Sequence, residues 1–372
     1  MSTPENRTTV SGSEERTVNL PPPYTGPKGQ PTEIRCQPTE NLAAVLAQAN
    51  CSLLVSTYLI GNLVTVGSTN GELLVTFHTF DRPMGMAVSR EGMVVCTRNQ
   101  VWFLPMLLDI AKQMEPLGQY DLAYFARRSH YTGNILCHEI GWVGKELWIV
   151  NTRFSCLCTL HHTCHFAPRW QPPFITELAP EDRCHLNGLA TVDRVARYVT
   201  ALAETNKREA WRAVKATSGC LIDVPNNTVI ARGFAMPHSP RVANGRLYVL
   251  HSGRGRLEVV DPASGKTETV CDLPGYARGM SIHGSLAFIG LSKIRASTTM
   301  DGVPIAEKRD QLKCGVWAID LNTGNKVAHL EFLSGIDELF DVQVLPGVTS
   351  PFVSGPLVDQ YSDRTNWTLP PT

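Results

Sequence analysis

Three histidines, His138, His185 and His238, each stand at the head of a strand-like segment: HEIGWVGKELWIVNT, HLNGLATVDRVARYVTAL and HSPRVANGRLYVLHSG. Imidazoles gathered from distant parts of a chain can hold a divalent ion and leave open positions on it for a substrate. An all-imidazole set does not choose between zinc, iron and copper. Three arginines, Arg82, Arg241 and Arg278, accompany such segments and suit paired hydrogen bonds to a carboxylate or phosphate. Asn187 joins them as a polar substrate contact, while Glu139 and Asp341 could orient an imidazole or move a proton.

A denser group competes with this set. CLCTLHHTCH, residues 156–165, packs three cysteines and three histidines into ten positions. Zinc sites usually pair C-x2–4-C with a second ligand pair well separated in sequence, and a C-x-C crowded into one hairpin is poor geometry for a tetrahedron. Strand alternation places Phe154, Cys156, Cys158 and Leu160 on one face, so the two cysteines look like core thiols. His161, His162, Cys164 and His165 then form a solvated turn. Cys184 directly precedes His185, but neighbours on a strand face opposite ways, which disfavours a Cys–His dyad. No GxGxxG, GKT/S or GxSxG motif is present.

The elements that must position the histidines are short apolar strands separated by turn signals such as NGEL, ANGRL, DPASGKT and LNTGNK. One pattern recurs, a strand start followed by a second strand about ten residues on. It begins at 82, 138, 185, 238, 276 and 339, with separations of 56, 47, 53, 38 and 63 residues. A four-stranded propeller blade needs roughly 40–50 residues. The spacing predicts an all-β chain, a six-bladed β-propeller with helical or loop insertions. Residues 1–38 are expected as a disordered leader, 39–355 as one propeller domain and 356–372 as a C-terminal tail. One longer helix is expected over about 104–116, and two β-sandwiches are the rival architecture.

Equivalent positions on successive inner strands ring the channel of a propeller. One aligned column contains Arg82, His138, His185, His238, Tyr276 and Leu339. A second, two residues on, contains Met84, Ile140, Asn187, Pro240, Arg278 and Asp341. The three histidines would then meet at the channel mouth, and Trp211 and Arg212, in the excursion 203–215, could cap it. The same histidines could instead line a water-filled ring, or titrate near neutral pH as a sensor.

Composition narrows the partners. The chain of 372 residues has 34 basic and 34 acidic side chains and no long basic run, so no nucleic-acid footprint is expected. Apolar residues at 43% and charged residues at 18% suit a large folded core. The N-terminus lacks the apolar stretch of a secretory signal, and the most apolar window is broken by polar residues, so a cytoplasmic protein with no membrane span is expected. Eleven cysteines there are expected as buried thiols.

The segments NTRFSCL, PRWQPPFI, EDRCHLNGLA, YVTAL, MPHSPR, RGM, GLSKIR, CGVW and ELFDVQVLPG resemble, in the same order, an uncharacterised family known as domain of unknown function 4915. The resemblance runs from about residue 50 to 350. It implies a propeller and places family motifs on His138, His185, Asn187, His238, Arg241, Arg278 and Asp341. Asn134 stands where the family tends to show an acidic residue, and the HHTCH cluster lies outside its pattern. The family carries no established activity to transfer.

The resulting expectation is a metal-dependent enzyme with His138, His185 and His238 as ligands. Arg82, Asn187, Arg241 and Arg278 would hold a small anionic, amino-acid-like substrate, and Glu139 and Asp341 would move a proton. Hydrolysis, elimination, cyclisation and oxygen chemistry all fit. The alternative is a non-catalytic propeller that binds a protein partner through the insertions at 104–130, 203–215 and 300–313.

Overall fold

The computed structural model describes residues 7–10, 12–20, 32–294 and 299–356. Valine, isoleucine and leucine alternate with polar residues in short runs, which favours pleated strands over helices. These strands form six sheets. Their inner strands are Met86–Ser89, Cys137–Val143, Leu186–Val192, Pro237–Ala243, Tyr276–His283 and Asp341–Pro346. Each inner strand contacts the next, and the last contacts the first. The six starts seen in the sequence lead into these six strands, and the fold is a six-bladed β-propeller. We number the blades 1 to 6 by their inner strands.

Closure comes from the two halves of blade 6. Asp341–Pro346 pairs antiparallel with Cys51–Ser56, which is followed outward by Asn62–Thr69 and Glu72–Thr79. The chain therefore locks its ring by ladder hydrogen bonds between segments almost 300 residues apart. Past that strand, Pro351–Ser354 adds in parallel to Leu122–Phe125 on blade 1.

Apolar side chains fill the gap between each pair of neighbouring blades. Phe288, Val316, Leu53 and Val342 pack between blades 5 and 6. Cys96, Ile149, Cys156 and Cys158 pack between blades 1 and 2, with Phe154 and Leu160 against them. The two cysteines are fully buried, as the alternation implied. All eleven cysteines are free, and only Cys164 is exposed.

Two expectations need correction. Part of the leader is ordered: Thr32–Pro38 pairs with Lys326–Ser334 at the edge of blade 5, Arg16–Leu20 pairs with it, and Arg7–Val10 lies along Glu72–Thr79. Ile34 and Cys36 alternate with exposed Glu33, Arg35 and Gln37, so this short strand buries one face on the blade 5–6 core. The tail beyond residue 356 lies outside the described residues. The helix expected over 104–116 is only one turn, Leu108–Ala111, because the strand Gln100–Leu107 claims the residues before it. Its ladder to Gly92–Cys96 outweighs the helical propensity of the leucines. No described helix is long and apolar enough to cross a membrane.

The inner ring is held by two alternating devices. At three junctions a glycine lets backbones meet. A Cβ on Gly85 would lie 2.7 Å from His138 O, one on Gly188 3.0 Å from Ser239 N, and one on Gly279 2.6 Å from Asp341 Cα. At the other three junctions a side chain reaches across to a backbone N–H. Glu139 Oε2 accepts from Leu189 N at 2.7 Å, Ser239 Oγ from Gly279 N at 3.2 Å, and Asp341 Oδ2 from Met86 N at 2.8 Å. Glycine thus serves blades 1–2, 3–4 and 5–6, and the polar clasp serves blades 2–3, 4–5 and 6–1.

This alternation predicts unequal costs for glycine substitutions. Gly279 has φ +77° and no room for a Cβ, whereas Gly284, in a hairpin turn at φ +60°, has open space around it. Gly279→Ala should lower stability by about 3 kcal/mol or more, and Gly284→Ala by about 1 kcal/mol. Urea unfolding of the two variants measures the difference, and equal losses would contradict the close-contact account.

Candidate functional site

The junction residues Gly85, Glu139, Gly188, Ser239, Gly279 and Asp341 define a common level around the channel, because they meet one another across blade boundaries. One residue earlier, at the mouth, stand Met84, His138, Asn187, His238, Arg278 and Phe340. Three residues earlier stand Arg82, Leu136, His185, Met236, Tyr276 and Glu338. Arg82, Leu136, His185 and Met236 all have φ between 51° and 53°, which supports their equivalence. The columns expected from the sequence were therefore out of register. HEIG and HLNG look alike, but Gly188 is the junction residue of its blade whereas Gly141 lies two residues beyond Glu139. His185 enters the mouth from two residues upstream of the level of His138 and His238, and Asn187 occupies their level.

Each of the three imidazoles is anchored at Nδ1. His138 Nδ1 lies 3.0 Å from Leu136 O and 2.7 Å from Thr152 Oγ1, whose own hydroxyl donates to Leu186 O. His238 repeats the arrangement with Met236 O and Ser252 Oγ, both at 3.0 Å. A carbonyl can only accept, so Nδ1 carries the hydrogen in both rings and Nε2 carries a lone pair. Burial, aided by positive neighbours, pushes both imidazoles well below their ordinary pKa, His138 by the proximity of His185 and Arg278 and His238 by that of Arg278 and His185. His185 Nδ1 is 2.8 Å from Asp182 Oδ2. Among the described residues, no hydrogen-bond partner is found for Nε2 of any of the three.

Two of the three rings are close neighbours. His138 and His185 meet edge to face at 4.8 Å between centroids, and His185 lies 4.3 Å from Trp211. Trp211, in the excursion 203–215, is 1% exposed, so that excursion covers the mouth beside His185. His238 faces Tyr276 at 5.8 Å, and His138 faces Phe340 at 5.2 Å. Arg278 lies over Phe340, 3.6 Å from the ring centre, and pairs with Glu338 at 3.2 Å. Arg82 stands 5.7 Å from the Tyr58 ring, which touches Phe340, and forms no ion pair among the described residues.

The other expected site residues are engaged in structural contacts. Asn187 is buried, with Thr200 donating to its oxygen and its nitrogen donating to Pro237 O. Arg241 is locked onto Glu139 by a close ion pair and donates to Leu189 O and Pro240 O, deeper in the channel than the histidines. Glu139 is 4% and Asp341 2% exposed, and both clasp neighbouring backbone. Burial, reinforced by the Glu139 charge, raises Asp341 to about 7 against the pull of its N–H donors. Both carboxylates serve the ring rather than the mouth. Conversely, Asp182 escaped the sequence reading, although it stands three residues before His185 inside EDRCHLNGLA. His161, His162, Cys164 and His165 form a turn in which all but His161 are well exposed.

The expected metal centre is not formed in this geometry. Among the described residues, no three His, Cys, Asp or Glu side chains make a group that could hold a metal ion.

The fold defines a six-bladed β-propeller. The chain belongs to the family described as domain of unknown function DUF4915, whose model matches residues 40–354. No curated protein matches it. Among solved structures it is similar to a nidogen/laminin complex, at 10% identity and TM-score 0.47, over 80% of this chain and 98% of that one. It is also similar to selenomethionine-substituted virginiamycin B lyase from Staphylococcus aureus, at 9% identity and TM-score 0.39, over 77% and 88% of the chains. A catalytically inactive variant of that lyase with quinupristin aligns at 11% identity and TM-score 0.39, over 75% and 96%.

Two measurements check the site. At pH 6 an ordinary imidazole, with pKa about 6.5, is mostly protonated, whereas nitrogen-15 NMR should show His138 and His238 still neutral, with hydrogen on Nδ1. Cationic rings at that pH would refute the buried, carbonyl-anchored geometry. Elemental analysis of untagged protein should find no stoichiometric metal whose retention depends on His185. Stoichiometric zinc, iron or copper that disappears in His185→Ala would show that the three imidazoles rearrange around an ion.

Proposed function

We propose that this propeller is an enzyme that takes a small carboxylate-bearing substrate at the channel mouth and works by proton transfer. The observation that carries the reading is the set of three imidazoles, each held at Nδ1 with Nε2 left unpartnered, beside the cation of Arg278. Polar atoms left open among buried aromatic rings suit a ligand that brings complementary groups.

Arg278 supplies the carboxylate contact. Its guanidinium is pre-placed by stacking on Phe340 and by Glu338, so little freedom is lost on binding. Arg82 adds a second, unpaired cation on the far side of the Tyr58–Phe340 pair. His185 is the proton carrier. Asp182 holds its Nδ1 hydrogen and stabilises the ring when a proton arrives at Nε2. His238, buried, and His138, half-buried, act as fixed neutral acceptors. No step is assigned to a metal.

Calorimetric titration with acetate, lactate, 3-phenylpropionate and succinate tests the carboxylate contact. Arg278→Gln should weaken every carboxylate that binds by about 10- to 100-fold, the loss of a charge-assisted hydrogen bond. Binding that ignores this substitution would place the anion elsewhere and sink the reading.

A further inference from the structure

We infer that the mouth recognises a free α-amino acid with an apolar side chain, reading its ammonium group through the lone pairs of His138 and His238 and its carboxylate through Arg278. The inference rests on the carboxylate reading above and deepens it.

The direction of the hydrogen bonds selects the ligand. Nδ1 of His138 and of His238 points at a main-chain carbonyl, so the opposite nitrogen of each ring can only accept. Two lone pairs repel a carboxylate and call for a donor. A hydroxyl has one hydrogen and can satisfy one of them, whereas an ammonium has three and can serve both, with one left for His185. Hydrogen bonds of about 2.9 Å reach further than metal–imidazole bonds of about 2.0–2.1 Å. A polar group of an organic ligand can therefore bridge rings that do not form a group able to hold an ion.

Charge is compatible with an ammonium. Arg278 is paired with Glu338, and His185 with Asp182, so acidic groups stand beside both, while Arg82 has no ion pair among the described residues. The acceptor and the cation also sit at adjacent positions, since His238 and Arg278 occupy the same level on neighbouring blades 4 and 5. An α-amino acid carries its two charged groups on one carbon and matches that proximity. Trp211, Tyr276 and Phe340 each lie against one of the three imidazoles, an aromatic surface that favours an apolar side chain.

The test is calorimetric titration of the full chain with L-phenylalanine and L-leucine against 3-phenylpropionate and 4-methylpentanoate, which lack only the amino group. At least one amino acid should bind at least about tenfold more tightly than its deaminated counterpart, the value of a charge-assisted hydrogen bond. In His238→Gln, checked for folding by circular dichroism, that preference should shrink to about threefold or less, while Arg278→Gln should weaken both members of a pair alike. Equal binding of amino acid and deaminated acid overturns the ammonium assignment but leaves the carboxylate reading intact if Arg278→Gln still weakens both. Failure of both amino acids to bind overturns the inference. Failure of all four probes, or indifference to Arg278→Gln, removes the carboxylate reading as well.

Discussion

Six inner strands must approach closely enough to shut a ring, and this crowding governs the rest of the molecule. The chain meets it with alternating solutions, a missing Cβ at Gly85, Gly188 and Gly279, and a polar clasp at Glu139, Ser239 and Asp341. Burying a carboxylate is costly unless it is hydrogen-bonded or paired. Glu139 has both Leu189 N and Arg241, and Asp341 has Met86 N, Val342 N and Gln343. The two acidic groups hold strands in place, and their chemistry is spent there.

The same ring fixes where the mouth residues point. Of the residues three steps before the junction level, Arg82, Leu136, His185 and Met236 have left-handed backbone. His138 and His238 share the level one step before the junction and the same hydrogen-bonding scheme, with Thr152 and Ser252 each following the end of the adjacent strand. His185 reaches the same opening from three steps before the junction and is held by Asp182 instead. Burial biases two imidazoles toward the neutral form, while the third stands against a carboxylate. The proposed division into acceptors and a proton carrier rests on that difference.

Much of the architecture was legible before any coordinates. The six strand starts, the turn signals between them and the burial of Cys156 and Cys158 follow from local periodicity, which depends only on near neighbours along the chain. The covering of the mouth by the excursion 203–215 was legible too, because its charge and Trp211 interrupt the strand pattern. Register around the ring was not. A strand beginning with His-x-x-Gly looks the same whether the glycine is a junction residue or lies beyond it, and only the next blade separates them, presenting backbone at Ser239 to Gly188 but the Thr191 side chain to Gly141. The ordering of Thr32–Pro38 was hidden for a similar reason, since its partner Lys326–Ser334 lies almost 300 residues away.

The sequence by itself determined the strand periodicity, the number of blades and the identity of the histidine-bearing segments, because these are set by side-chain pattern and turn chemistry within a few residues. Only the tertiary structure decided which groups share the opening and which are consumed in closing the ring. It set Arg278, Trp211 and Asp182 beside the imidazoles and drew Arg241, Glu139 and Asp341 away into the junctions. The physical reason is that a side chain's role depends on what neighbouring blades present to it, and those neighbours are assembled across sequence distances over which no local pattern survives.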